Sequence, residues 1–600
     1  MDTPPVHSFH IPVLGLAFSI DTPLRVARYG ISSVISIVDD ILIEKMRAHC
    51  CSLYSETFIP ISTRESDARA RRITAYLNLI HKIVQRQIAE MRSSPFDRGG
   101  ELAKYFELLA DGSALKTKYQ KMIRTIDPRA KLSLQEELRS GVVPGSIDVN
   151  IMTKLDKINV GSNGEILPRQ YSDAVAALRG FVRSDLESSV VLSAGMNPGL
   201  YAYLASCTEF LPVSPGILKK KVNLKVSDFR SALIQGKFLA KKGIWISEYR
   251  IESGLNCGGH AFPTEGLLLG PILEEFKLKK ESLVSELFVM YRRALEEKGA
   301  SAPAGPMPTR VTVQGGIGTS REDAFLRSYY GIDGTGWGSP FLLVPEATNV
   351  DADTRSRLAA GGPEAYYISD ASPLGVPFNN LRTSTSEETR VRRILEGRPG
   401  SPCTKKFLVS NTEFTQQPIC TASREYQSLK IAQLENQGLP PEELEKNIAG
   451  VMEKVCLCED LAASAPGTGK NQRAVAVCPG PNLAYFTKNA SLEEMVGHIY
   501  GRVQLLLNQD RSNMFVNELR LYAEYLKKEI GRRIDSAGVK ERLDLSAFRA
   551  NMLEGIAYYR SLLPRLVEES EQYRERMRLE LLEVEEWLMS TAVQLIPQEA

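Results

Sequence analysis

Residues Val311 to Ala347 read VTVQGGIGTSREDAFLRSYYGIDGTGWGSPFLLVPEA. A short β-branched run ends in Gly315, Gly316 and Gly318, a helical pattern follows, and a second short run ends in Gly336 and Gly338. Two glycine-rich strand ends therefore lie one strand-helix unit apart. Glycine lets the backbone come close to a bound phosphate, whose charge suits the N–H groups of such a loop and of the helix start behind it. In a closed barrel of eight such units, this is the phosphate position after strands seven and eight. Tight turns that need glycine for backbone reasons alone are the alternative reading of the same loops.

Outward from this stretch the same rhythm repeats. Strands are expected at Ile11–Phe18, Ser32–Val38, Ser146–Met152, Ser189–Ala194, Val222–Val226, Ile244–Glu248, Arg310–Gln314 and Gly331–Gly336. Eight units point to an α/β fold, a (β/α)8 TIM barrel over residues 1–385, with an open doubly wound sheet as the alternative. Residues from about 40 to 145 interrupt the rhythm with charged helical sequence, in which Ile73, Leu77, Ile80 and Val84 make one apolar stripe. This reads as a helical insertion after strand 2. A smaller interruption from about 262 to 308 carries an amphipathic helix around Leu283 to Leu295. Past the barrel, residues 386–490 form a Cys-containing segment and 491–600 an all-α extension, whose apolar stripes suit packing, a homo-oligomer or a protein partner.

Composition narrows the function classes. With 600 residues, 43% hydrophobic and 24% charged, the chain has the balance of a globular protein, and its formal net charge of +2 gives no overall field for nucleic acid or an anionic membrane. No stretch of about twenty apolar residues suggests a membrane span. The N-terminal residues lack the pattern of a secretory signal. Nine cysteines, an odd number, fit reduced thiols, and the expected location is the cytoplasm. PGTGKN, near Ala465 to Asn471, lacks Walker A spacing.

A second loop matters as much as the first. Ile244 to Phe262, IWISEYRIESGLNCGGHAF, brings Cys257, Gly258, Gly259 and His260 to the same barrel face. An imidazole there can take a proton from a small-molecule substrate or orient it, and a buried structural histidine is the plainer alternative. His7, His10, His49, His81 and His498 show no ligand spacing and read as structural or surface groups.

Taken in order, these segments resemble the nitronate monooxygenase (2-nitropropane dioxygenase) family of FMN-dependent TIM barrels, which includes flavin-type enoyl-acyl-carrier-protein reductases. IPVLGLAFSIDTPLRVARYGISSVISI looks like the family's opening βαβ, SIDVNIM like its GVN strand, CGGHAF like its AGGH motif, and GGIGT and GSPFLLVPEA like its last two barrel motifs. YISDASPLGVPFNNLR, from Tyr367 to Arg382, is similar to the family's closing segment. The resemblance implies FMN as cofactor. It implies Asn150 and Lys225 against the ring or ribityl chain, Gly258 and Gly259 beside the flavin, and Gly315, Gly316, Gly338 and Ser339 on the phosphate. It also implies His260 as catalytic base or orienting group. The chain departs from the family at Leu14–Ser19, which replaces the usual flavin-facing opening loop, and at Cys257, Ser339 and Pro340. These changes put the substrate pocket, more than the phosphate contacts, in question.

Cys403, Cys420, Cys456, Cys458 and Cys478 crowd one segment, against four cysteines in all the chain before it. Thiolates among turns can hold zinc or an iron–sulfur cluster, although the spacing matches no familiar ladder. Reduced cysteines used for packing are the alternative. The function expected is an FMN-dependent oxidoreductase acting on a small substrate. An enoyl-reductase-like or iron–sulfur-linked reductase, a non-catalytic barrel scaffold and a flavin-free phosphosugar or nucleotide enzyme stand as alternatives.

Overall fold

The computed structural model describes residues 5–153, 156–161, 164–193, 195–256, 265–466, 474–506, 511–535 and 544–591. Eight parallel strands close into a barrel in sequence order, β1 (Phe9–Ile11), β2 (Ser32–Ser36), β3 (Ile147–Ile151), β4 (Ser189–Leu192), β5 (Lys221–Val226), β6 (Ile246–Glu252), β7 (Arg310–Gln314) and β8 (Gly334–Gly336). Closure is made by β1, which pairs with β2 on one side and with β8 on the other, His10 lying against both Ser32 and Gly336. The expected TIM barrel is thus formed, and the open sheet is excluded.

Only β7 keeps its expected bounds; four strands shift by one or two residues at one end or both, and three shift further, each for a local reason. The first ends at Ile11 because Pro12 has no N–H for the ladder and Gly15 turns the chain at φ +55°. The last begins at Gly334, since Gly331 sits at φ +66° and ends the helix Ser320–Tyr330. The sixth runs on through Arg250 to Glu252, past the expected end at Glu248. Its charges belong in a strand because they point into the barrel.

That interior is unusual. Barrels of this kind are commonly filled by Val, Ile and Leu. Here Asp148, Asn150, Asn223, Lys225, Glu248, Arg250, Glu252, Thr312 and Gln314, all buried, alternate along β3, β5, β6 and β7 with apolar neighbours that belong to the core shared with the helices. Among the described residues, Val13, with Val34 of β2 and Val191 of β4, forms a small apolar cluster of its own. Strands β3, β5, β6 and β7 are therefore apolar outward and polar inward.

Between β2 and β3 the charged stretch folds into five helices, Asp40–Leu53, Ala68–Ser93, Glu101–Leu108, Ala114–Arg124 and Pro128–Ser140. The stripe helix Ala68–Ser93 belongs to the outer ring. Its Thr74 hydroxyl donates to the Gly180 carbonyl at 2.9 Å, and a Cβ at Gly180, on the helix Asp173–Val182, would come within 2.7 Å of Ile73. The helix Leu269–Glu297 likewise covers far more than the amphipathic stretch expected there. Strands β9 (Tyr366–Ser369) and β10 (Phe378–Leu381) form an antiparallel pair after the barrel. Helices Met514–Asp535, Leu545–Leu562 and Glu571–Ser590 share one continuous core with the barrel. Among the described residues, no helix is long and apolar enough to cross a membrane.

Candidate active site at the barrel mouth

At the C-terminal end of the strands one carboxylate gathers its neighbours. Glu252 Oε1 lies 2.8 Å from Lys225 Nζ and accepts hydrogen bonds from Gln314 Nε2 at 2.7 Å and Asn256 Nδ2 at 2.5 Å. Gln314 in turn accepts from His10 Nε2 at 3.4 Å. Four elements, β1, β5, β6 and β7, thus converge on one buried polar chain. Among the described residues, Glu252 Oε2 and the nearby strand's Asn150 Oδ1 are buried without a hydrogen-bond partner. Buried acceptors left unpaired cost free energy, so such atoms call for a donor, a water or a ligand, beyond the described side chains.

One layer deeper, Arg250 Nε lies 2.7 Å from Glu248 Oε1, Thr312 donates to the same oxygen at 2.5 Å, and Asp148 is 3.7 Å from Arg250. Burial opposes ionisation of Glu248, yet Arg250 and Arg310 hold its carboxyl down at about 2. Burial, with Arg250 second, pushes His10 down to about 3, so its imidazole is neutral. Charges of alternating sign, Glu248, Arg250 and Glu252, are thereby kept dry along one strand.

The glycine loops carry the geometry their sequence implies. Gly315 and Gly316 follow β7 at φ +107° and +78°, in the left-handed region where a side chain is disfavoured. A Cβ at Gly315 would stand 2.9 Å from Asn256 N, and one at Gly316 2.5 Å from Leu255 Cδ1, so the β6 and β7 loops touch backbone to backbone. Gly338 leads into the turn Ser339–Leu343 after β8. The Ser339 hydroxyl accepts from Gly480 N at 2.8 Å and keeps its own proton to donate.

The start of helix Ser320–Tyr330 is occupied by the chain itself. Glu322 Oε2 accepts from Gly318 N at 2.8 Å and Thr319 N at 3.2 Å, and Arg511 pairs with Glu322 at 2.8 Å while donating to the Gly316 carbonyl at 2.8 Å. A phosphate here would meet Gly315, Gly316, Gly338 and Ser339, with the helix terminus already satisfied. Arg511 and Glu322 were not expected from the sequence, because nothing in it places residue 511 beside residue 316.

The structure brings Asn150, Lys225, Gly315, Gly316, Gly338 and Ser339 to the same end of the barrel. Gly258, Gly259 and His260 lie outside the described residues. Glu252, Gln314 and His10 join the site. For Glu252 and Gln314 the sequence signal was the alternation of polar and apolar residues in ISEYRIE and RVTVQ; His10, in the three-residue strand FHI, had none.

The late cysteines gather beside the mouth, but not as a metal cage. Cys420, Cys456, Cys458 and Cys478 are buried in a satellite cluster with Phe378, Leu408 and Leu457, and Cys403 packs at its edge. Among the described residues, no group of three or more His, Cys, Asp or Glu side chains is disposed to hold a metal ion. The ligand set expected from Cys403, Cys420, Cys456, Cys458 and Cys478 is therefore not seen. Burial raises the thiols of Cys456, to about 11, and of Cys458, as expected of small packing groups. Cys403 differs. A hydrogen bond from Cys420, and then the Lys406 amide, bring its thiol down to about 7 against the effect of burial.

The fold and mouth define a (β/α)8 barrel with a charged interior and glycine-rich loops after β7 and β8. No known family model matches the chain, and no curated protein does. Among solved structures, the enoyl reductase domain of MlnA from the macrolactin biosynthesis cluster of Bacillus amyloliquefaciens is similar over 65% of this chain and 86% of its own, with 15% identity and a TM-score of 0.35. Nitroalkane oxidase from Streptomyces ansochromogenes is similar over 62% of this chain and 86% of its own, with 12% identity and a TM-score of 0.26. At these scores, function has to be read from the residues of the mouth.

Proposed function

We propose that the chain is an FMN-dependent oxidoreductase of nitronate monooxygenase-like type, acting on a small substrate over the flavin. The observation that carries this reading is the pairing, at one barrel end, of orphan acceptors with an anion cradle. Asn150 Oδ1 and Glu252 Oε2 suit the N–H and hydroxyl donors of a flavin ring and ribityl chain, and Lys225 supplies a cation beside them. Gly315 and Gly316, with Gly338 and Ser339, offer backbone donors for its phosphate. The residues present therefore fit the group. When bound, FMN supplies the electron transfer, and the protein supplies binding, orientation and electrostatics.

The chain's own residues have separable tasks. Lys225 holds positive charge at the mouth, its place fixed by Glu252, which Gln314 and Asn256 fix in turn. His10 is held neutral and orients the Gln314 amide. His260, carried by the loop after β6, would take the substrate proton or orient the substrate. The cysteine segment is assigned packing here, which leaves the iron–sulfur-linked version without a ligand set among the described residues.

The test is a visible spectrum of protein purified without oxygen, followed by acid release and mass analysis of any chromophore. Flavin bands and a released mass equal to FMN are expected, with bleaching on anaerobic addition of ethylnitronate. A protein that is colourless and takes up no FMN on reconstitution overturns the reading. Bleaching by NADPH but not by ethylnitronate would replace it with the enoyl-reductase-like alternative.

A further inference from the structure

Glu518 lies on helix Met514–Asp535 in the C-terminal extension, 1% exposed, and all its described partners are hydrogen-bond donors. Its Oε1 accepts from the Ser253 hydroxyl at 2.7 Å. Its Oε2 accepts from Leu269 N at 2.8 Å and from the Tyr559 hydroxyl at 3.4 Å. The Gly254 N–H also points at it. Ser253 and Gly254 are the first residues after β6, and Leu269 is the first of helix Leu269–Glu297. One carboxylate from more than two hundred residues away thus spans both ends of the β6-to-helix connection.

The helix explains half of this. Its N-cap, Leu268, has no side chain that can cap, so its first amides need a partner from elsewhere. Glu518 takes Leu269 N, and the Tyr559 hydroxyl takes Gly270 N at 3.2 Å. A carboxylate at a helix N-terminus is also favoured by the helix dipole.

The rest comes from glycines. A Cβ at Gly254 would lie 2.6 Å from Tyr522 Cε1, one at Gly266 2.5 Å from the Phe548 carbonyl oxygen, and one at Gly270 2.3 Å from Tyr559 Cε1. Asn551 Nδ2 donates to the Glu265 carbonyl at 2.6 Å. Helices Met514–Asp535 and Leu545–Leu562 are therefore seated directly on the chain at both sides of residues 257–264. A buried carboxylate is a costly way to fill space, since burial pushes Glu518 up to about 7 against its donors. An acceptor with two oxygens can hold both ends at once, which an apolar residue cannot do.

We propose that Glu518 is a positioning residue for the β6 loop: by holding Ser253 and capping Leu269 it fixes how the chain enters and leaves the segment that carries Cys257 to His260. The C-terminal extension is then a brace for the site. The functional consequence rests on the flavin reading above; the clamp itself does not.

Full-length Glu518→Ala and Glu518→Gln test it, read by hydrogen exchange of the Gly254 and Leu269 amides, flavin content, and kcat and KM with ethylnitronate. In Glu518→Ala, exchange of those two amides should rise at least tenfold and kcat fall at least tenfold per bound flavin. Glu518→Gln, which keeps one acceptor oxygen, should recover part of both. Unchanged exchange in a folded Glu518→Ala protein overturns the clamp, whatever the cofactor. Raised exchange with unchanged kcat per flavin removes the functional role. If Glu518→Ala does not fold, the same two readouts on Glu518→Gln decide. Raised exchange in a protein shown to take no flavin keeps the clamp and sinks only the flavin reading.

Discussion

Lys225 Nζ and Glu252 Oε1 are 2.8 Å apart, on adjacent strands, with both side chains almost wholly buried. An ion pair this dry is a poor source of net stability but a strong constraint, because removing one partner leaves the other charge uncompensated. Lys225→Met should therefore destabilise the fold by about 3 kcal/mol and release flavin, while Lys225→Met with Glu252→Gln should regain part of the stability and none of the flavin affinity. Denaturant titration and flavin content of the wild type and these two variants check this. Equal stability of the wild type and Lys225→Met would remove the pair from the account.

Gly316 carries a separable prediction. Its φ of +78° disfavours any side chain, and the 2.5 Å approach of a Cβ to Leu255 Cδ1 means that Gly316→Val must strain the loop after β7 and turn the Leu255 side chain aside. Loss of FMN is expected, with the barrel retaining its far-ultraviolet circular dichroism. Retained FMN in that variant would place the phosphate elsewhere.

His260→Ala should separate chemistry from binding. The imidazole is assigned to the substrate, so bound flavin is expected to persist while turnover falls by about 10²–10⁴-fold, the usual worth of a general base. Unchanged turnover would take His260 out of the mechanism.

The barrel was legible because its punctuation is local: glycine and proline at strand ends, and an apolar period of two, are written within a few residues. The same rule misled at β6, where Arg250 and Glu252 look like the polar end of a strand. They are interior residues whose charge is met by Lys225 on β5 and by Glu248 and Asp148, from positions 2 to 102 residues apart in sequence. Asn150, Lys225, Gly315, Gly316 and Gly338 could be assigned to the barrel mouth from the sequence because motifs mark them. Glu518 and Arg511 could not, since single charged residues in an amphipathic helix and a loop carry no local sign of which loop they will meet. The cysteines show the opposite failure. Their clustering in sequence is real and persists in space, but proximity of thiols did not produce a ligand set among the described residues.

Two buried imidazoles set a pH dependence that can be isolated by substitution. Burial pushes His10 down to about 3 and His7 to about 4, with Arg250 adding to the first and the Tyr29 carbonyl opposing the second. An unfolded imidazole titrates near 6.5. Below that pH the unfolded chain binds protons that these folded imidazoles refuse, so their contribution to stability is full above about 6.5 and is lost as pH falls toward 3–4, by up to about 1.4 kcal/mol per pH unit for each imidazole. Glu518 and Asp460, which burial pushes up to about 7, act in the opposite sense over the same window, so the readout is a difference: in thermal melts from pH 7.5 to 5.5 the wild type should lose stability relative to His10→Gln. An identical slope in the variant would contradict the assignment.

Cys403 should be the first of the described late thiols to react. It is half-buried where Cys420, Cys456 and Cys458 are buried, and the Cys420 hydrogen bond with the Lys406 amide brings it down to about 7. Thiolate is the nucleophile, so the reactive fraction at pH 7.5 is large at Cys403 and small at Cys456, whose thiol stands at about 11. Brief iodoacetamide treatment at pH 7.5 and peptide mapping should find carbamidomethyl on Cys403 ahead of the other four, Cys478 being buried as well. Cys420→Ala removes the hydrogen bond that lowers Cys403, so labelling of Cys403 should slow and its pH profile move upward. Equal labelling of Cys403 and Cys456, or a Cys403 rate indifferent to Cys420→Ala, would show that the two thiols do not interact as the structure has them.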